Sequence, residues 1–96
     1  MPLASIPNTK PVVDAITFEF ALRDASGRDW NVMVLPSLFA ERITNQRPES
    51  RIAYFDGHRS KFVDLASRKF DAGDLENGII VLRHEDAGTL LPDVRR

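Results

Sequence analysis

Apolar and polar residues alternate along two neighbouring stretches of the chain, and this period of two is typical of half-buried β-strands. In residues 15–23, one face of the alternation carries Ile16, Phe18, Phe20 and Leu22. In the second stretch, the corresponding face carries Trp30, Val32 and Val34. Residues 24–28 between them form a turn-like cluster, in which Gly27 is free to adopt a positive φ angle. The pattern therefore predicts a β-hairpin.

Two helices and a third strand follow the predicted hairpin. Pro36 ends the second strand, and Ser37 is a suitable N-cap for a short helix. After a loop over residues 45–49, the pattern predicts a long helix over residues 50–72, with Gly73 at its C-cap. The apolar residues of this helix fall within an arc of about 100°; they are Ile52, Phe55, Phe62, Val63, Ala66 and Phe70. Residues 79–83 predict a third strand that is apolar on both faces, as in a central or interface strand.

This order of elements predicts an α+β fold. We expect a two-layer sandwich in which a three-stranded antiparallel sheet (β-β-α-α-β) is covered by one long amphipathic helix plus a short helix. A single domain is predicted over residues 15–86, with residues 1–14 as a flexible N-terminal arm and residues 87–96 as a flexible C-terminal tail. A folded core of about 70 residues is marginally stable alone, so a homodimer is a further expectation.

Composition narrows the function classes. Thirteen Lys and Arg residues against fourteen Asp and Glu residues leave a formal charge of −1, which argues against nucleic-acid binding through bulk positive charge. The chain contains no cysteine, which excludes disulfides, thiolate metal sites and cysteine nucleophiles. No apolar run approaches the roughly 20 residues that cross a bilayer, and the first residues lack the charge and apolar core of a secretory signal. We therefore expect a cytoplasmic protein with no membrane partner.

No arrangement of residues predicts catalysis, a metal site or a cofactor. Asp56, His58 and Ser60 are the residue types of a catalytic triad, but neighbours two apart on a helix point about 200° away from each other. The two histidines, His58 and His84, lack a metal-ligand spacing, and the five glycines are too scattered for a phosphate-binding loop. The prediction is therefore a protein that is not an enzyme, with no catalytic residue, metal or cofactor.

Arg59 is a charged residue in the middle of the apolar arc of the predicted long helix. A guanidinium stays charged when it is buried, so it needs a carboxylate or carbonyl partner. One interpretation is structural: the stem packs on Phe55 and Phe62 while the head reaches a carboxylate. A second is a ligand- or partner-binding site of Arg59, His58 and Phe55, in which the arginine recognises a carboxylate or phosphate. A third is a kink at Gly57 that turns Arg59 toward solvent.

The basic residues of the predicted long helix are the remaining candidate surface; they are Arg51, Lys61, Arg68 and Lys69. Acidic residues share the far face of the same helix, so the helix is zwitterionic rather than a cationic stripe; they are Asp56, Asp64 and Asp71. Nucleic-acid binding through this basic patch and the Arg95-Arg96 end is therefore a disfavoured hypothesis.

Four residues of the predicted helix follow the spacing of a known family: an aromatic residue, an arginine four positions on, an apolar residue three later and an alanine four after that. They are Phe55, Arg59, Phe62 and Ala66. Together with the strands at residues 16–18 and 79–82, the pattern resembles the family of small bacterial proteins catalogued as domain of unknown function 1488. The resemblance covers about 70 residues and implies the fold predicted above, but no reaction. Gly57 within the helix and the proline-containing arm depart from the family pattern.

These features favour a non-enzymatic protein-binding or regulatory module, whose partner is another protein or a second copy of the chain. A phage- or plasmid-type accessory or inhibitor protein is a more specific version of this hypothesis. The first alternative is a small-ligand binding protein that uses Arg59 to hold a carboxylate or phosphate. The second alternative is a nucleic-acid-binding accessory protein.

Overall fold

The computed structural model describes residues 3–6, 10–14 and 17–95. Its strands are β1 (Ala4–Ser5), β2 (Val12–Val13), β3 (Phe18–Arg23), β4 (Asp29–Val34) and β5 (Ile80–Leu82). Its helices are α1 (Pro36–Ala40), α2 (Pro48–Gly57), α3 (Arg59–Asp71) and α4 (His84–Ala87). None of the helices in these ranges has the length and apolar character needed to cross a membrane. Ala15 and Ile16, predicted to begin the first strand, lie outside the described residues, as does Arg96.

The predicted hairpin lies at the centre of the sheet. β3 and β4 pair antiparallel, with Phe20 opposite Val32. The turn between them is held by Asp24, whose Oδ1 accepts hydrogen bonds from the backbone N–H groups of Ser26 and Arg28 at 2.9 and 3.0 Å. A carboxylate that satisfies its own turn in this way is a common reason why aspartate begins tight turns. The alternation of apolar residues in β3 and β4 and the hydrogen bonds that Asp24 makes in the turn both favour this hairpin.

The α+β class of the prediction is confirmed, but the sheet is mixed, which corrects the prediction of three antiparallel strands. β5 lies parallel to β4, with Val32 opposite Ile80 and Val34 opposite Leu82. The chain reaches β5 through α2 and α3, and a helical crossover of this kind is the connection that parallel strands need. Along the other edge of β3, the two-residue strands β1 and β2 pair antiparallel with its two ends. Strands this short carry no alternating pattern that a sequence could display.

The predicted long helix over residues 50–72 is in fact two helices, α2 and α3, which meet at His58. His58 has φ −129° and ψ 25°, outside the helical range, and its N–H donates to the carbonyl of Phe55 as α2 ends. Gly57, directly before it, has a weak intrinsic helix preference. The chain therefore leaves the helix at this pair of residues, and α3 begins at Arg59.

The core lies between the sheet and the helices, which pack on one face of the sheet. Phenylalanines from both layers meet there. The ring centroids of Phe20 and Phe55 are 4.6 Å apart, those of Phe55 and Phe62 are 5.1 Å apart, and those of Phe18 and Phe39 are 4.9 Å apart. Aromatic pairs at such distances add about 0.5–1.5 kcal/mol each to the stabilisation that comes from burial.

Residues outside the predicted domain of 15–86 also pack into this core. Leu3 is 3% exposed, and its N–H donates to the Oγ of Ser67 at 2.9 Å. Near the other end of the chain, Leu91 is 2% exposed. Single leucines among prolines and charged residues show no periodicity, so the sequence pattern does not assign them to the domain. The folded unit therefore includes residues on both sides of the predicted boundaries.

Candidate functional site

Arg59 lies beside the apolar core rather than within it. Its side chain is 38% exposed, its Cζ lies 4.7 Å from the centroid of the Phe55 ring, and its Nη2 donates to Asp56 Oδ1 at 3.0 Å. The break at His58 turns the arginine out of the arc that a continuous helix would give it. The structure thus combines two of the predicted alternatives, because the guanidinium packs on Phe55 and pairs with a carboxylate, and it also reaches solvent.

His58 packs against Tyr54. Its Nδ1 lies 2.9 Å from the Tyr54 carbonyl oxygen, and the two ring centroids are 4.4 Å apart. A carbonyl only accepts hydrogen bonds, so Nδ1 carries a proton. The Tyr54 hydroxyl donates to the Pro92 carbonyl at 2.6 Å, and burial raises the pKa of this phenol. Of the three residues predicted as a ligand- or partner-binding site, the structure brings Arg59 and Phe55 into contact and places the His58 ring on Tyr54.

A cavity of about 500 Å³ lies beside Arg59, between α2 and the residues that lead into β2. It is lined by Lys10, Pro11, Ile52, Asp56 and Arg59. Its walls carry two cations and one carboxylate, so its net charge is positive. The volume is within the range of small-molecule sites, about 300–1,000 Å³, and both cations are groups that bind carboxylates and phosphates.

The four residues of the predicted basic patch do not share one exposed surface. Arg51 is 3% exposed, and its Nη2 donates to the Asp14 carbonyl oxygen at 2.6 Å. The Lys69 side chain is 11% exposed, and its Nζ donates to the Val81 carbonyl and to Asp86 Oδ2, both at 2.9 Å. Burial opposes ionisation of Asp86, but hydrogen bonding, chiefly from Lys69, outweighs burial and lowers the pKa of this carboxyl.

The other two residues of the patch, Lys61 and Arg68, belong to α3. The Nη2 of Arg68 lies 3.0 Å from Asp64 Oδ2, one turn earlier in the helix, and Lys61 is half-buried. Arg95, at the described end of the chain, pairs with Asp93 at 2.7 Å. Its hydrogen bonds lower the pKa of Asp93 to about 2. These cations are divided between internal contacts and paired surface positions, so they do not build a positive stripe.

Arg42 is a buried arginine that the sequence pattern does not single out; its side chain has no carboxylate partner within the described ranges. Its guanidinium donates to the carbonyls of Leu38, Gly88 and Leu91 at 3.1, 2.8 and 3.1 Å and to Nδ1 of His84 at 3.0 Å. A guanidinium can only donate, so Nδ1 of His84 is the acceptor of this hydrogen bond. Most of these acceptors are backbone carbonyls, which no residue type in the sequence reveals.

A cavity of about 300 Å³ opens next to this cluster. The charged and histidine residues that line it are Glu41, Arg42, His84, Asp93 and Arg95. The two guanidinium groups and the two carboxylates balance, so the cavity has no net charge that would select an ion. Within the described ranges, no group of three or more histidine and carboxylate side chains is arranged to hold a metal ion.

The sheet face opposite the helices presents the alternate residues of the strands. We call it the outer sheet face; its residues are Ala4, Val12, Glu19, Ala21, Arg23, Asp29, Asn31, Met33 and Val81. Val12 is 65% exposed. In β5, predicted to be apolar on both faces, Ile80 and Leu82 belong to the core and Val81 belongs to the outer sheet face. Val81 is 8% exposed, and Ala21 and Met33 are half-buried, so the apolar surface that this face offers to solvent comes mainly from Val12.

The charged residues of the outer sheet face include Glu19 and Arg23 on β3 and Asp29 on β4. Arg23 Nε donates to Asp29 Oδ1 at 2.8 Å, and this hydrogen bond raises the pKa of the guanidinium. The Glu19 side chain is half-buried and makes no hydrogen bond or ion pair with the residues that the structure describes. A carboxylate in this position is available to a cation from outside the chain.

No protein-family model matches the chain, and no curated protein or solved structure matches it either. The resemblance to domain of unknown function 1488 therefore stays a prediction, and the function has to be inferred from the geometry of the chain itself.

Proposed function

We propose that the protein is a non-enzymatic protein-binding module that contacts its partner through the outer sheet face. The observation that supports this proposal is apolar surface on the sheet face opposite the helices, where Val12 is 65% exposed and Ala21 and Met33 are half-buried. A sheet face that serves only to meet water carries polar residues at such positions. Glu19 lies between Val12 and Met33 in the register, so apolar and charged positions alternate across this face.

The non-enzymatic part of the proposal is supported by contacts that occupy the triad-like residues. Asp56 Oδ1 accepts a hydrogen bond from Arg59, and His58 Nδ1 donates to the Tyr54 carbonyl. A catalytic triad needs a carboxylate at Nδ1 of the histidine and a nucleophile at Nε2. In this protein, a backbone carbonyl takes the place of that carboxylate.

A photo-crosslinking residue at position 21 tests the proposal. The variant Ala21→p-benzoylphenylalanine places the probe on the outer sheet face, and Ala53→p-benzoylphenylalanine is the matched control at an exposed alanine of α2. We expect illumination in the native cells to join a protein partner to position 21 and none to position 53. Adducts from position 53 alone, equal adducts from both positions or no adducts at all would contradict the proposed docking surface.

We infer a second candidate function, the binding of a small carboxylate or phosphate, from the cavity beside Arg59. Lys10 and Arg59 give this cavity its net positive charge, and Ile52 and Pro11 give it an apolar wall. The Arg59 guanidinium is already ordered by the Phe55 ring, so a ligand loses little of its binding energy in fixing it. A ligand anion would replace Asp56 Oδ1 as the acceptor of the hydrogen bond from Arg59 Nη2.

Titration with sodium phosphate and with sodium acetate, followed by backbone amide NMR, tests this second function. We expect saturable shifts at Ile52 and Arg59 in the wild-type protein and in the control Arg68→Met, and their loss in Arg59→Met. Shifts that are equal in all three proteins, or that do not saturate, would show that the cavity is not an anion site.

We also retain membership of domain of unknown function 1488 as a proposal. The residues that carry the resemblance belong to one cluster in the fold. Phe55, Phe62 and Ala66 are fully buried, and Arg59 stacks on the Phe55 ring. The family spacing therefore corresponds to a packing motif that joins α2 and α3.

A further inference from the structure

We propose that the partner of the outer sheet face is a second copy of this chain, related to the first by a twofold axis that lies between the two sheets at the level of Ala21. This inference rests on the proposed function, because it uses the same face and adds the identity of the occupant. Its basis is the order of charges along β3, which is self-complementary.

Glu19, Ala21 and Arg23 occupy alternate positions of β3, so they form a single row on the outer sheet face. Two residues of a strand span about 6.8 Å, so the negative and positive charges flank Ala21 at equal distances on either side. A twofold axis that lies between the two sheets, level with Ala21 and perpendicular to the strand, brings Glu19 opposite the partner subunit's Arg23. The same rotation brings Arg23 opposite the partner subunit's Glu19, because every contact across a twofold interface occurs twice.

Both members of this ion pair are available. The Glu19 carboxylate makes no hydrogen bond or ion pair with the described residues. Arg23 uses Nε for its bond to Asp29, while Nη1 and Nη2 make no hydrogen bond within the described ranges. A guanidinium binds two carboxylates through its two edges, so the internal pair with Asp29 and the external pair with glutamate are compatible.

The centre of the row permits close approach of two sheets. Face-to-face sheets pack about 10 Å apart, which requires small or interdigitating side chains at the crossing point. Ala21 is the small residue at that point, and its neighbour across the β3–β4 pair is Asn31. Val12 and Met33 lie on the two strands beside Glu19 and supply apolar surface that the second copy would cover.

The size of the face predicts a weak, concentration-dependent dimer. Six-residue strands are about 20 Å long, and four strand positions side by side span about 19 Å, so the face measures about 400 Å². A standard interface buries about 800 Å² on each partner. The dimer is therefore expected to dissociate on dilution rather than to persist as a permanent assembly.

Sedimentation equilibrium of the full chain over about 1 µM to about 1 mM measures this dimer, and charge reversal tests its geometry. Glu19→Arg places arginine opposite arginine in both pairs, and Arg23→Glu places glutamate opposite glutamate. We expect each variant alone to dimerise at least about tenfold more weakly than the wild type. Matched controls are Glu49→Arg, at an exposed glutamate of α2, and Arg68→Glu, which breaks an exposed ion pair in α3.

Mixing the two charge-reversal variants gives the decisive result. One chain then carries arginine at both positions and the other carries glutamate at both, so a mixed dimer has two attractive pairs. We expect the equimolar mixture of Glu19→Arg and Arg23→Glu to recover dimer formation to the wild-type level, with circular dichroism confirming that both variants are folded. The mixture of Glu49→Arg and Arg68→Glu is expected to match the wild type throughout.

Two results would overturn the proposal: a wild-type chain that stays monomeric over the whole concentration range, or charge-reversal variants whose dimer is neither weakened alone nor restored by mixing. These results are separable from failure of the proposed function. Crosslinks from position 21 to a different protein, with a monomeric wild type, would retain the docking face and reject the second copy. Absence of crosslinks from position 21 would reject both the docking face and the second copy as its partner.

Discussion

Replacing Arg42 by methionine is expected to loosen the last residues of the chain while the sheet stays folded. The guanidinium joins the end of α1 to the residues that follow α4, because it donates to the carbonyls of Leu38, Gly88 and Leu91. Methionine fills similar apolar space but donates no hydrogen bond. The three carbonyls and the Nδ1 of His84 then lose their donor.

The expected loss in the free energy of unfolding is about 3 kcal/mol. A buried acceptor without its donor costs roughly 1–3 kcal/mol, and the guanidinium serves four acceptors. Two effects reduce the total, because the desolvation cost of a buried charge disappears and the exposed His84 gains water as a donor. Small domains are stable by about 5–15 kcal/mol in all, so the change removes a substantial part of the stability.

Urea unfolding measures the free energy, and hydrogen exchange followed by mass spectrometry locates the change. We expect faster exchange in residues 88–95 of Arg42→Met and unchanged exchange in β3 and β4. Arg68→Met is the control, because an exposed ion pair contributes no more than about 1 kcal/mol. If Arg42→Met unfolds at the same urea concentration as this control and exchanges no faster in residues 88–95, the buried arginine does not hold the C-terminal residues.

Three further predictions concern the helix break, the candidate ligand site and acid stability. Gly57→Ala is expected to raise the free energy of unfolding by about 0.5–1 kcal/mol, because Gly57 ends α2 and no atom lies within 4 Å of an added Cβ. Gly27→Ala is expected to lower the free energy of unfolding, because Gly27 has a φ angle of 88°. Urea unfolding in which both variants change the free energy in the same direction would refute this prediction. Arg59→Met is expected to cost no more than about 1 kcal/mol, because its ion pair is partly exposed; a urea-measured loss of several kcal/mol would instead show a buried structural pair. Hydrogen bonds from Arg95 lower the pKa of Asp93 from its ordinary value of 3.8 to about 2 in the folded state. As the pH falls between these two values, the unfolded chain binds the proton before the folded chain does. The free energy of unfolding is therefore expected to fall over this pH range. Asp93→Asn removes this contribution, so acid titration of the variant should show a shallower loss, and an identical slope would contradict the assignment.

The central hairpin could be predicted because a period of two places Phe18, Phe20 and Leu22 on one buried face. The direction of β5 could not be predicted in the same way. Its three residues are all buried and apolar, so the pattern reads the same in either direction. The crossover through α2 and α3 determines that direction, and a crossover is a property of the whole fold rather than of any local pattern.

The candidate site shows the same limit. A helical wheel assumes an unbroken helix. A single residue outside helical geometry changes the direction in which every later side chain points around the helix axis. Gly57 was the available signal, and the observed break at His58 explains why Arg59 lies at the edge of the core. Arg42 had no signal, because backbone carbonyls near Gly88 and Leu91 are its principal acceptors and every residue type has a carbonyl.

The central proposal, that a second copy of the chain docks on the outer sheet face, is tested most directly by backbone amide NMR of a dilute and a concentrated sample. Docking of a second copy is expected to shift or broaden, as concentration rises, the signals of residues in β3 and β4, centred on Ala21 and Asn31. The amides of α2 and α3 are expected to stay unchanged. Concentration-dependent shifts confined to α2 or α3, or spectra that do not change at all, would contradict the claim.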